Sequence, residues 1–495
     1  MVLSIDVGSS SVRACFYDTR GERVDATGSR RPHRFSFSSG GVAESDTDAL
    51  AGLVEACVDE SLQRLEPDSR VIAVAFCTFL HGLVGTDRDG AALTPVITWA
   101  DSRSAVQAAR LRDRLDPQEV LQRTGCPLHA IYFPSKILWI QENWPGIYRE
   151  VAWWCSIGEY CIRRFTGSRS CSLSMASAFG LFNRRTTRWD EALLEELGLD
   201  ESSFSPLGDM DSPFRGLRSP YAERWPRLRD AAWFPALGDG ACSNVGCGCA
   251  SSERAALMIG TTGALRAVRP AGDSHVPAGL WSYRLDRSRE LVGGVLGDGG
   301  NLFEWMRATL NIGLTAEETD RALLAAPAAG HGLTFLPFLA GERSMGWDPR
   351  ARGAINGVSF ETKALDILQA GVEGVAYRFA AIMRALRTAA PAVREVVCTG
   401  GALLGSAAWG QILADVLELP LSCADEPEAS SRGAAVLALE ALGCAPGAGP
   451  GIARIFQPRA RAAQAHRAAF REQERLRESI LGGSVSSVGQ EPSLT

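Results

Sequence analysis

The first seventeen residues constrain the fold of this chain more than any other stretch. An apolar run that carries one acid, Asp6, breaks at Gly8 into three serines, and a second β-rich run with Arg13 follows. This pattern predicts a strand, a turn of small residues and a returning strand. Backbone N–H groups in such a turn can approach an anion, and a nearby carboxylate suits Mg²⁺. Ordinary hairpins share this pattern, so a phosphate site and a purely structural turn are both open at this point.

A second segment, residues 257–268, repeats the pattern of the first hairpin. An apolar run leads to Gly260, two threonines and Gly263, and the returning run carries Arg266 where the first copy carries Arg13. Two such hairpins, one in each half of the chain, predict two similar domains that face one nucleotide. Chance similarity between two small-residue turns is the alternative.

The composition sets the class of protein. A chain of 495 residues exceeds what one hydrophobic core supports, so at least two domains are expected. A net charge of −6 without a basic block argues against nucleic acid and anionic membranes as partners. No stretch approaches the ~20 apolar residues of a membrane span and the chain starts directly in a strand, so we expect a cytoplasmic protein. The 13 scattered cysteines suit a reduced compartment better than a disulfide framework or a zinc site.

Strands and helices alternate along both halves, which predicts layered α/β domains. The pattern restarts near Pro235, so we predict an N-terminal domain over residues 1–235 and a second domain over 236–445. A linker and a charged C-terminal helix are predicted within 446–481. Residues 482–495 lack apolar periodicity, which predicts a disordered tail.

The chain resembles the FGGY carbohydrate kinases over roughly residues 1–445, and the gluconokinases most closely among them. The segments that carry the resemblance occur in family order: IDVGSSSVRA (5–14), ITWADSRS (97–104), TGCPLH with SKILWI (124–140), SIGEY (156–160), SMASAFGLFN (174–183), GDGACSNVG (238–246), IGTTGALR (259–266), GGVLGDGGNLFEWMR (293–307), LPFLAGERSMGWDPRARG (336–353), CTGGA (398–402) and EASSRGAA (428–435). The resemblance implies two actin-like, ribonuclease-H-like domains around a cleft. The sugar is expected mainly on the N-terminal domain and ATP mainly on the C-terminal one.

The resemblance implies catalytic and metal-binding roles for two acids. Asp239, between two glycines, is implied as the base that takes the proton of the substrate's primary hydroxyl. The local sequence by itself suits a helix-capping Asp equally well. Asp6 is implied to organise Mg²⁺ through water, with Asp239 as the second carboxylate near the metal.

The residues implied to hold ATP lie in glycine-rich or hydroxyl-rich turns. They are Gly8, Ser9, Ser10, Arg13, Gly260, Thr261, Thr262, Gly263, Gly300, Gly400, Gly401 and Ala402. Glycines after a strand leave bare backbone against which adenine and ribose can lie. For Arg13, contact with the transferring phosphate oxygens and a solvated position on the strand are both open.

The residues implied to bind the sugar follow from the same motifs. They are His81, Gly82, Trp99, Asp101, Arg103, Asp239 and Gly240. Polyols need paired donors and acceptors, and Arg103 either braces Asp101 or meets a carboxylate. Lys136 and His129 are open between substrate contact and a structural role, and Asp298 has no assigned role. Glu342 and Arg343 are expected to form an interdomain ion pair rather than to touch the substrate.

The resemblance implies ATP-dependent phosphorylation of a sugar or sugar acid on a primary hydroxyl. D-Gluconate is the leading acceptor, and xylulose or another keto-pentose or polyol is the alternative within the family, because few cleft residues decide the substrate. A non-catalytic sugar or ATP sensor and a polymerising actin-like ATPase are the alternatives from other classes. The expected partners are Mg-ATP and a small sugar or sugar acid, and the assembly is open, with a homodimer among the options.

Overall fold

The computed structural model describes residues 1–272, 274–447 and 449–482. The predicted disordered tail therefore lies outside the described residues from position 483 onwards. The helices and strands of the first half are β1 (Val2–Val7), β2 (Ser11–Tyr17), β3 (Ser29–Pro32), β4 (Ser36–Ser38), β5 (Val42–Ser45), α1 (Thr47–Arg64), β6 (Ala73–Thr78), β7 (Val84–Thr86), β8 (Val96–Ile97), α2 (Ala105–Arg114), α3 (Pro117–Thr124), α4 (Phe133–Asn143), α5 (Pro145–Glu150), β9 (Trp153–Cys155), α6 (Ile157–Thr166), β10 (Cys171–Ser172), α7 (Leu173–Ser177), β11 (Phe182–Asn183), β12 (Arg188–Trp189), α8 (Glu191–Glu196), β13 (Leu207–Gly208), α9 (Ser219–Arg224), β14 (Ala232–Trp233), β15 (Leu237–Gly238) and α10 (Asp239–Gly246).

The second half continues the alternation of strands and helices. Its elements are β16 (Arg254–Ile259), β17 (Gly263–Pro270), β18 (Trp281–Arg284), β19 (Arg289–Leu296), α11 (Gly300–Thr309), α12 (Ala316–Ala325), β20 (Thr334–Leu336), β21 (Ala354–Asn356), α13 (Ala364–Ala389), β22 (Glu395–Thr399), α14 (Gly401–Leu404), α15 (Ala407–Leu417), β23 (Leu421–Ala424), α16 (Ala429–Ala441), β24 (Ile452–Phe456) and α17 (Ala460–Leu481).

Each half is built on a mixed sheet with the same central unit. In the first sheet the strand order is β14-β6-β1-β2-β3, with β15 also on β6, and β1 pairs antiparallel with β2 and parallel with β6. In the second sheet the order is β18-β19-β17-β16-β22-β23-β24, and β16 pairs antiparallel with β17 and parallel with β22. The repeated hairpin of the sequence is thus a repeated β-hairpin with a parallel neighbour. The predicted two-domain α/β fold is confirmed.

The two halves interlock through helices α10 and α16. Helix α16 comes from the second half of the chain but packs on strands β1 and β6 of the first sheet, and it also packs on α10. Two glycines allow this close approach, since a Cβ on Gly246 or on Gly433 would overlap the backbone of the other helix. Helix α10 carries Asp239 at its first residue, so this packing fixes the position of that carboxylate.

The predicted segment boundaries need small adjustments. The first sheet extends through β15 to Gly238, three residues past the predicted boundary at 235. Within the predicted linker and helix region, β24 pairs with β23 and extends the second sheet, and α17 packs on α13 and α15. The sequence analysis missed β24, because this edge strand has four exposed residues and only one buried one. Within the described ranges, no helix combines the length and the apolar character needed to cross a membrane.

Candidate active site

The strand register places Asp6 and Asp239 on the two sides of the same strand. Asp6 on β1 pairs with Cys77 of β6, and Leu237 of β15 pairs with Cys77 from the other side. Asp239 follows two residues later, at the start of α10. Two acids that lie far apart in the sequence therefore meet at one end of the first sheet, where the second domain faces it.

The environment of Asp239 makes its carboxylate basic. Burial, and after it the nearby charge of Asp6, raise the pKa of Asp239 from its ordinary value of 3.8 to about 6, although Arg266 acts in the opposite direction. The backbone N–H of Gly240 donates to Asp239 Oδ1 at 2.7 Å. A carboxylate with a pKa of about 6 is still mainly ionised at neutral pH and accepts a proton more readily than a solvated Asp does.

Asp6 offers an oxygen that suits a cation. Its Oδ2 accepts from Arg13 Nη1 at 3.0 Å, whereas Oδ1 is buried and has no hydrogen-bond partner among the described residues. Arg13 also lies 3.2 Å from Glu428, so it is held in an ion-pair chain and is not simply solvated. Among the described residues, no three His, Cys, Asp or Glu side chains are grouped to hold a metal ion. Mg²⁺ is ordinarily held by one or two carboxylates together with substrate phosphates, and Asp6 with Asp239 fits that donor set.

A cavity of about 210 Å³ extends from Asp239 between the two domains. Its lining includes Ser9 of the first hairpin, Thr262 and Gly263 of the second, and Arg266 of β17. Asp239, both hairpins and a cationic side chain thus share one cavity.

His81 lines this cavity as a neutral acceptor. Burial, with the charges of Lys136 and Arg343, lowers the pKa of His81 to about 3. Its Nδ1 lies 2.8 Å from the carbonyl oxygen of Ala178, so Nδ1 carries the proton and donates, and Nε2 is an acceptor. The rings of Tyr132 and Tyr283 lie edge-on to it, at centroid distances of 5.0 and 5.9 Å.

Trp99 and Arg343 form another part of the cavity wall. Trp99 Nε1 donates to Ser9 Oγ at 2.9 Å, which ties the predicted sugar wall to the first hairpin. The Arg343 guanidinium lies 5.1 Å from the centre of the Trp99 ring. Arg343 makes no ion pair with any described residue, and both side chains line the cavity. Asp298 is the carboxylate that acts on Arg343 through its charge, without forming an ion pair with it, so the Arg343 guanidinium is available to the cavity.

Several predicted sugar-binding residues lie behind the cavity wall instead of in it. Asp101 accepts from the backbone N–H of Ala43 at 2.9 Å and from Arg103 Nε at 2.8 Å. Arg103 also pairs with Glu44 at 2.9 Å, so it braces Asp101. Gly82 packs against the ring of Phe79, where a Cβ would lie 2.6 Å from a ring carbon. The structure places Asp101, Arg103 and Gly82 as supports of the wall.

Lys136 and His129 also have internal partners. Lys136 Nζ donates to the carbonyl oxygens of His81 at 2.6 Å, Thr98 at 2.8 Å and Ile97 at 3.3 Å. Burial lowers the pKa of Lys136 to about 7. His129 Nδ1 accepts from the backbone N–H of Ile131 at 3.2 Å. Neither side chain lines the cavity, so both support the structure around it.

The predicted ATP-binding glycines come together at the end of the second sheet. The backbone N–H of Gly300, at the start of α11, donates to the carbonyl oxygen of Gly260 at 2.8 Å. Gly400 has a φ of 99°, and a Cβ there would overlap the backbone of Ile259. Gly401 opens α14, together with the backbone of Ala402, and has open space around it. Bare backbone, two helix N-termini and the Thr261–Thr262 turn thus lie together at one end of the sheet, and such groups suit phosphate and nucleotide binding.

The expected ion pair between Glu342 and Arg343 is wrong. Glu342 instead pairs with Arg477 of α17 through two contacts of 2.7 Å, and Arg343 turns into the cavity. Asp298 accepts from the backbone N–H of Ala340 at 3.1 Å and from Asn301 at the same distance. Asp298 therefore has a structural role, which is to hold the loop that presents Arg343.

The sequence analysis missed some of the cavity-lining side chains, namely Arg266, Arg343, Tyr132 and Tyr283. The Tyr132 and Tyr283 hydroxyls lie 2.6 Å apart and connect the two domains across the cavity. The one available signal was Arg266, which occupies in the second hairpin the place of Arg13 in the first. Nothing local distinguishes the two tyrosines from core aromatics.

Sequence models of the two domains of the FGGY family of carbohydrate kinases match most of the chain, the N-terminal domain over residues 1–246 and the C-terminal domain over 255–442. The chain belongs to the FGGY family of carbohydrate kinases. As a member of this family, it is a sugar kinase that uses ATP as the phosphate donor. Its two hairpins, Asp239 and the glycine-rich end of the second sheet are the parts that such a phosphoryl transfer needs.

Similar proteins include kinases with different acceptors. The gluconokinase of Bacillus subtilis is 27% identical over 89% of this chain and 88% of its own length. The xylulose kinase of Staphylococcus epidermidis is 25% identical over 90% and 88%. A gluconate kinase and a xylulose kinase from Lactobacillus acidophilus, both 24% identical, each superpose with a TM-score of 0.91 over 97% of this chain and 98% of theirs. The two solved structures support the fold, and the two curated relatives differ in the acceptor that their names state, so the acceptor of this chain is left to be assigned.

Proposed function

We propose that this FGGY kinase phosphorylates D-gluconate on its primary hydroxyl to give 6-phosphogluconate, with Asp239 as the general base and Mg²⁺ as the metal. The observation that carries the proposal is the cavity itself, which has a basic carboxylate at Asp239 and an arginine without an acid partner at Arg343. A sugar acid offers a hydroxyl for the first and a carboxylate for the second. Arg343 lies near His81 on the cavity wall and helps to lower the pKa of that imidazole.

The reaction requires the chain to hold one hydroxyl and to accept one proton. Asp239 takes the proton of the primary hydroxyl as that oxygen attacks the terminal phosphorus of ATP, and the bond from this phosphorus to the bridging oxygen breaks to release ADP. Arg266 stands beside Asp239, since its Nη1 fills the space that a Cβ on the neighbouring Gly240 would occupy. From there its guanidinium can stabilise negative charge on the transferring phosphoryl group. Mg²⁺, held by Asp6 and Asp239 with phosphate oxygens, supplies charge neutralisation when bound.

The proposed acceptor rests on charge. Gluconate is an anion, and an arginine can hold a carboxylate through two parallel N–H···O bonds. A neutral keto-pentose such as xylulose has no group that needs this cation. Arg103 and Lys136, the cations considered first from the sequence, already have internal partners. Arg343 is therefore the best candidate for the carboxylate.

A coupled ADP-release screen tests the proposal directly. The wild-type enzyme is assayed with gluconate, xylulose, ribulose, glycerol, erythritol and fuculose, and we expect the highest kcat/KM with gluconate. Arg343→Gln should lower kcat/KM for gluconate by roughly 10- to 100-fold, mainly through KM, because a charge-assisted contact is lost. Arg350→Gln, on the same loop with an exposed side chain, is the matched control and should change little.

Two results would contradict the proposal in different ways. A higher kcat/KM with xylulose than with gluconate would assign the enzyme to the runner-up acceptor. Unchanged gluconate kinetics in Arg343→Gln would remove the carboxylate role from that residue while leaving the acceptor assignment in place.

A further inference from the structure

The loop between β20 and β21 brings Arg343 to the catalytic cavity, and a second side chain of this loop, Trp347, lines the same cavity. The backbone N–H of Trp347 donates to the carbonyl oxygen of Arg343 at 2.6 Å, so the two residues are the ends of one tight turn. In the described part of the chain, no other residue of this loop lines the cavity. The position of Trp347 is therefore coupled to that of Arg343 through the turn.

The backbone of Trp347 adopts a conformation that bulky residues seldom have. Its φ is 53°, which lies in the left-handed region. Residues other than glycine, asparagine and aspartate are disfavoured there, because the Cβ approaches a backbone carbonyl oxygen. Such a conformation persists only where the surrounding structure holds the residue in it. The contacts of the Trp347 side chain must therefore compensate for the strain of its backbone.

The Trp347 side chain contacts both domains. Its Nε1 donates to the carbonyl oxygen of Gly279 at 3.0 Å. Gly279 also packs against the turn itself, since a Cβ on it would lie 2.6 Å from the carbonyl oxygen of Met345. On the other side, the indole ring meets the imidazole of His129 from the N-terminal domain, with 5.3 Å between the ring centres. Trp347 thus fastens the turn to the segment before β18 and to the N-terminal domain.

The two neighbours of Arg343 are held by other elements, whereas Arg343 itself is not. Glu342 pairs with Arg477 of α17. The backbone N–H of Ser344 donates to the carbonyl oxygen of Val295 on β19 at 3.0 Å, and Ser344 Oγ accepts from the Val295 N–H at 3.1 Å. The Arg343 guanidinium makes no ion pair or hydrogen bond with any residue that the structure describes. The direction of this side chain is therefore set by the turn that carries it.

We propose that Trp347 is a positioning residue that determines specificity for an anionic acceptor, because it holds the Arg343 guanidinium in the orientation that a carboxylate requires. This inference rests on the proposed function, in which Arg343 holds the carboxylate of gluconate. Two parallel N–H···O bonds need both groups in one plane, so a small rotation of the turn weakens them. A neutral acceptor such as xylulose makes no contact of this kind. Trp347 therefore governs KM for gluconate and leaves the transfer step to Asp239.

Steady-state kinetics of two variants of the full-length enzyme test the proposal. Trp347→Phe keeps a ring towards His129 but loses the donor to Gly279, and Trp347→Asn removes the ring while asparagine tolerates the left-handed backbone. We expect KM for gluconate to rise roughly 3- to 10-fold in Trp347→Phe and further in Trp347→Asn, with kcat and the xylulose kinetics within about twofold of the wild type. Trp305→Phe, at an exposed tryptophan of α11, is the matched control and should behave as the wild type does. Equal urea midpoints verify that the compared proteins are folded.

A double-mutant cycle with Arg343→Gln separates positioning from a merely structural role. If Trp347 acts through Arg343, Trp347→Phe should cause no further loss with gluconate in the Arg343→Gln background. Additive losses in the double variant, or equal losses with gluconate and xylulose in Trp347→Phe, would overturn the inference. Wild-type gluconate kinetics in Trp347→Phe beside a clear effect of Arg343→Gln would also overturn it and would leave the proposed function intact. Failure of the proposed function has a different signature, namely a wild-type preference for xylulose or unchanged gluconate kinetics in Arg343→Gln.

Discussion

Replacing Gly433 by alanine should weaken the fold and the catalytic site together. Gly433 lies on α16 where that helix crosses α10, and a Cβ at this position would overlap the carbonyl oxygen of Cys242 and lie 2.8 Å from the backbone nitrogen of Gly246. Both neighbours are backbone atoms of α10, which cannot rotate away as a side chain would. The two helices must therefore separate by roughly 1.5–2 Å to restore ordinary van der Waals contact.

The magnitude follows from this geometry. Forcing an extra carbon into a packed interface costs typically about 1–3 kcal/mol, and two backbone contacts place Gly433→Ala at or above the upper end of that range. The displaced helix carries Asp239 at its first residue. A shift of roughly 1 Å in a catalytic group can cost about 100-fold in rate, so kcat should fall even in the fraction of protein that remains folded.

Urea unfolding and steady-state kinetics on the same preparation provide the assay. Gly52→Ala is the matched control, because Gly52 is an exposed position inside α1 with nothing near its Cβ, and alanine there should stabilise the helix by about 1 kcal/mol. The reasoning would be refuted if Gly433→Ala unfolded at the same urea concentration as the wild type with unchanged kcat.

Three further changes test the placement of individual groups. The pKa of Asp239 is about 6 in the folded protein against an ordinary value of 3.8, so above pH 6 the ionised carboxylate destabilises the fold. Asp239→Asn should therefore raise the free energy of unfolding by up to about 3 kcal/mol at pH 8. Urea titrations at several pH values should show this stabilisation decreasing towards pH 4. Lys136→Met leaves three buried carbonyls without their donor and should lower the free energy of unfolding by about 1–3 kcal/mol. The ratio of kcat/KM for gluconate to that for xylulose should not change, whereas a changed ratio would place Lys136 at the substrate. Arg477→Gln leaves the buried Glu342 unpaired and should lower the free energy of unfolding by about 3–5 kcal/mol in the same urea assay. An unchanged urea midpoint would show that this ion pair is dispensable.

The features that local sequence determines were predictable. Each hairpin depends on apolar runs around a small-residue turn within a short segment, residues 1–17 for the first and 257–268 for the second. Both hairpins form, with Asp6 on the first and the predicted glycines in the turn of each. The two-domain α/β fold followed from the repeat and from the family motifs. Asp239 was singled out by the family resemblance, and its position between two glycines predicted the helix start at which α10 begins.

Features that depend on long-range packing were not predictable from the chain alone. Whether a cation meets substrate or protein depends on partners far away in sequence, as Arg103 shows with Glu44 and the ring of Trp139. Arg343 enters the cavity because Glu342 is held by α17, more than 130 residues later. Helix α16 likewise packs on the first sheet because Gly433 of α16 and Gly246 of α10 let the two helices approach closely, and these residues lie far apart in the sequence.

The most direct test of the central claim compares ADP release by the wild type and by Asp239→Asn with gluconate as acceptor. If Asp239 is the general base, removal of its carboxylate should abolish most of the gluconate-dependent ADP release. The variant should then lose about 10²- to 10⁴-fold in kcat while still binding the ATP analogue with wild-type affinity. Near-normal turnover by Asp239→Asn would contradict the account, because the carboxylate on which the mechanism depends would be dispensable.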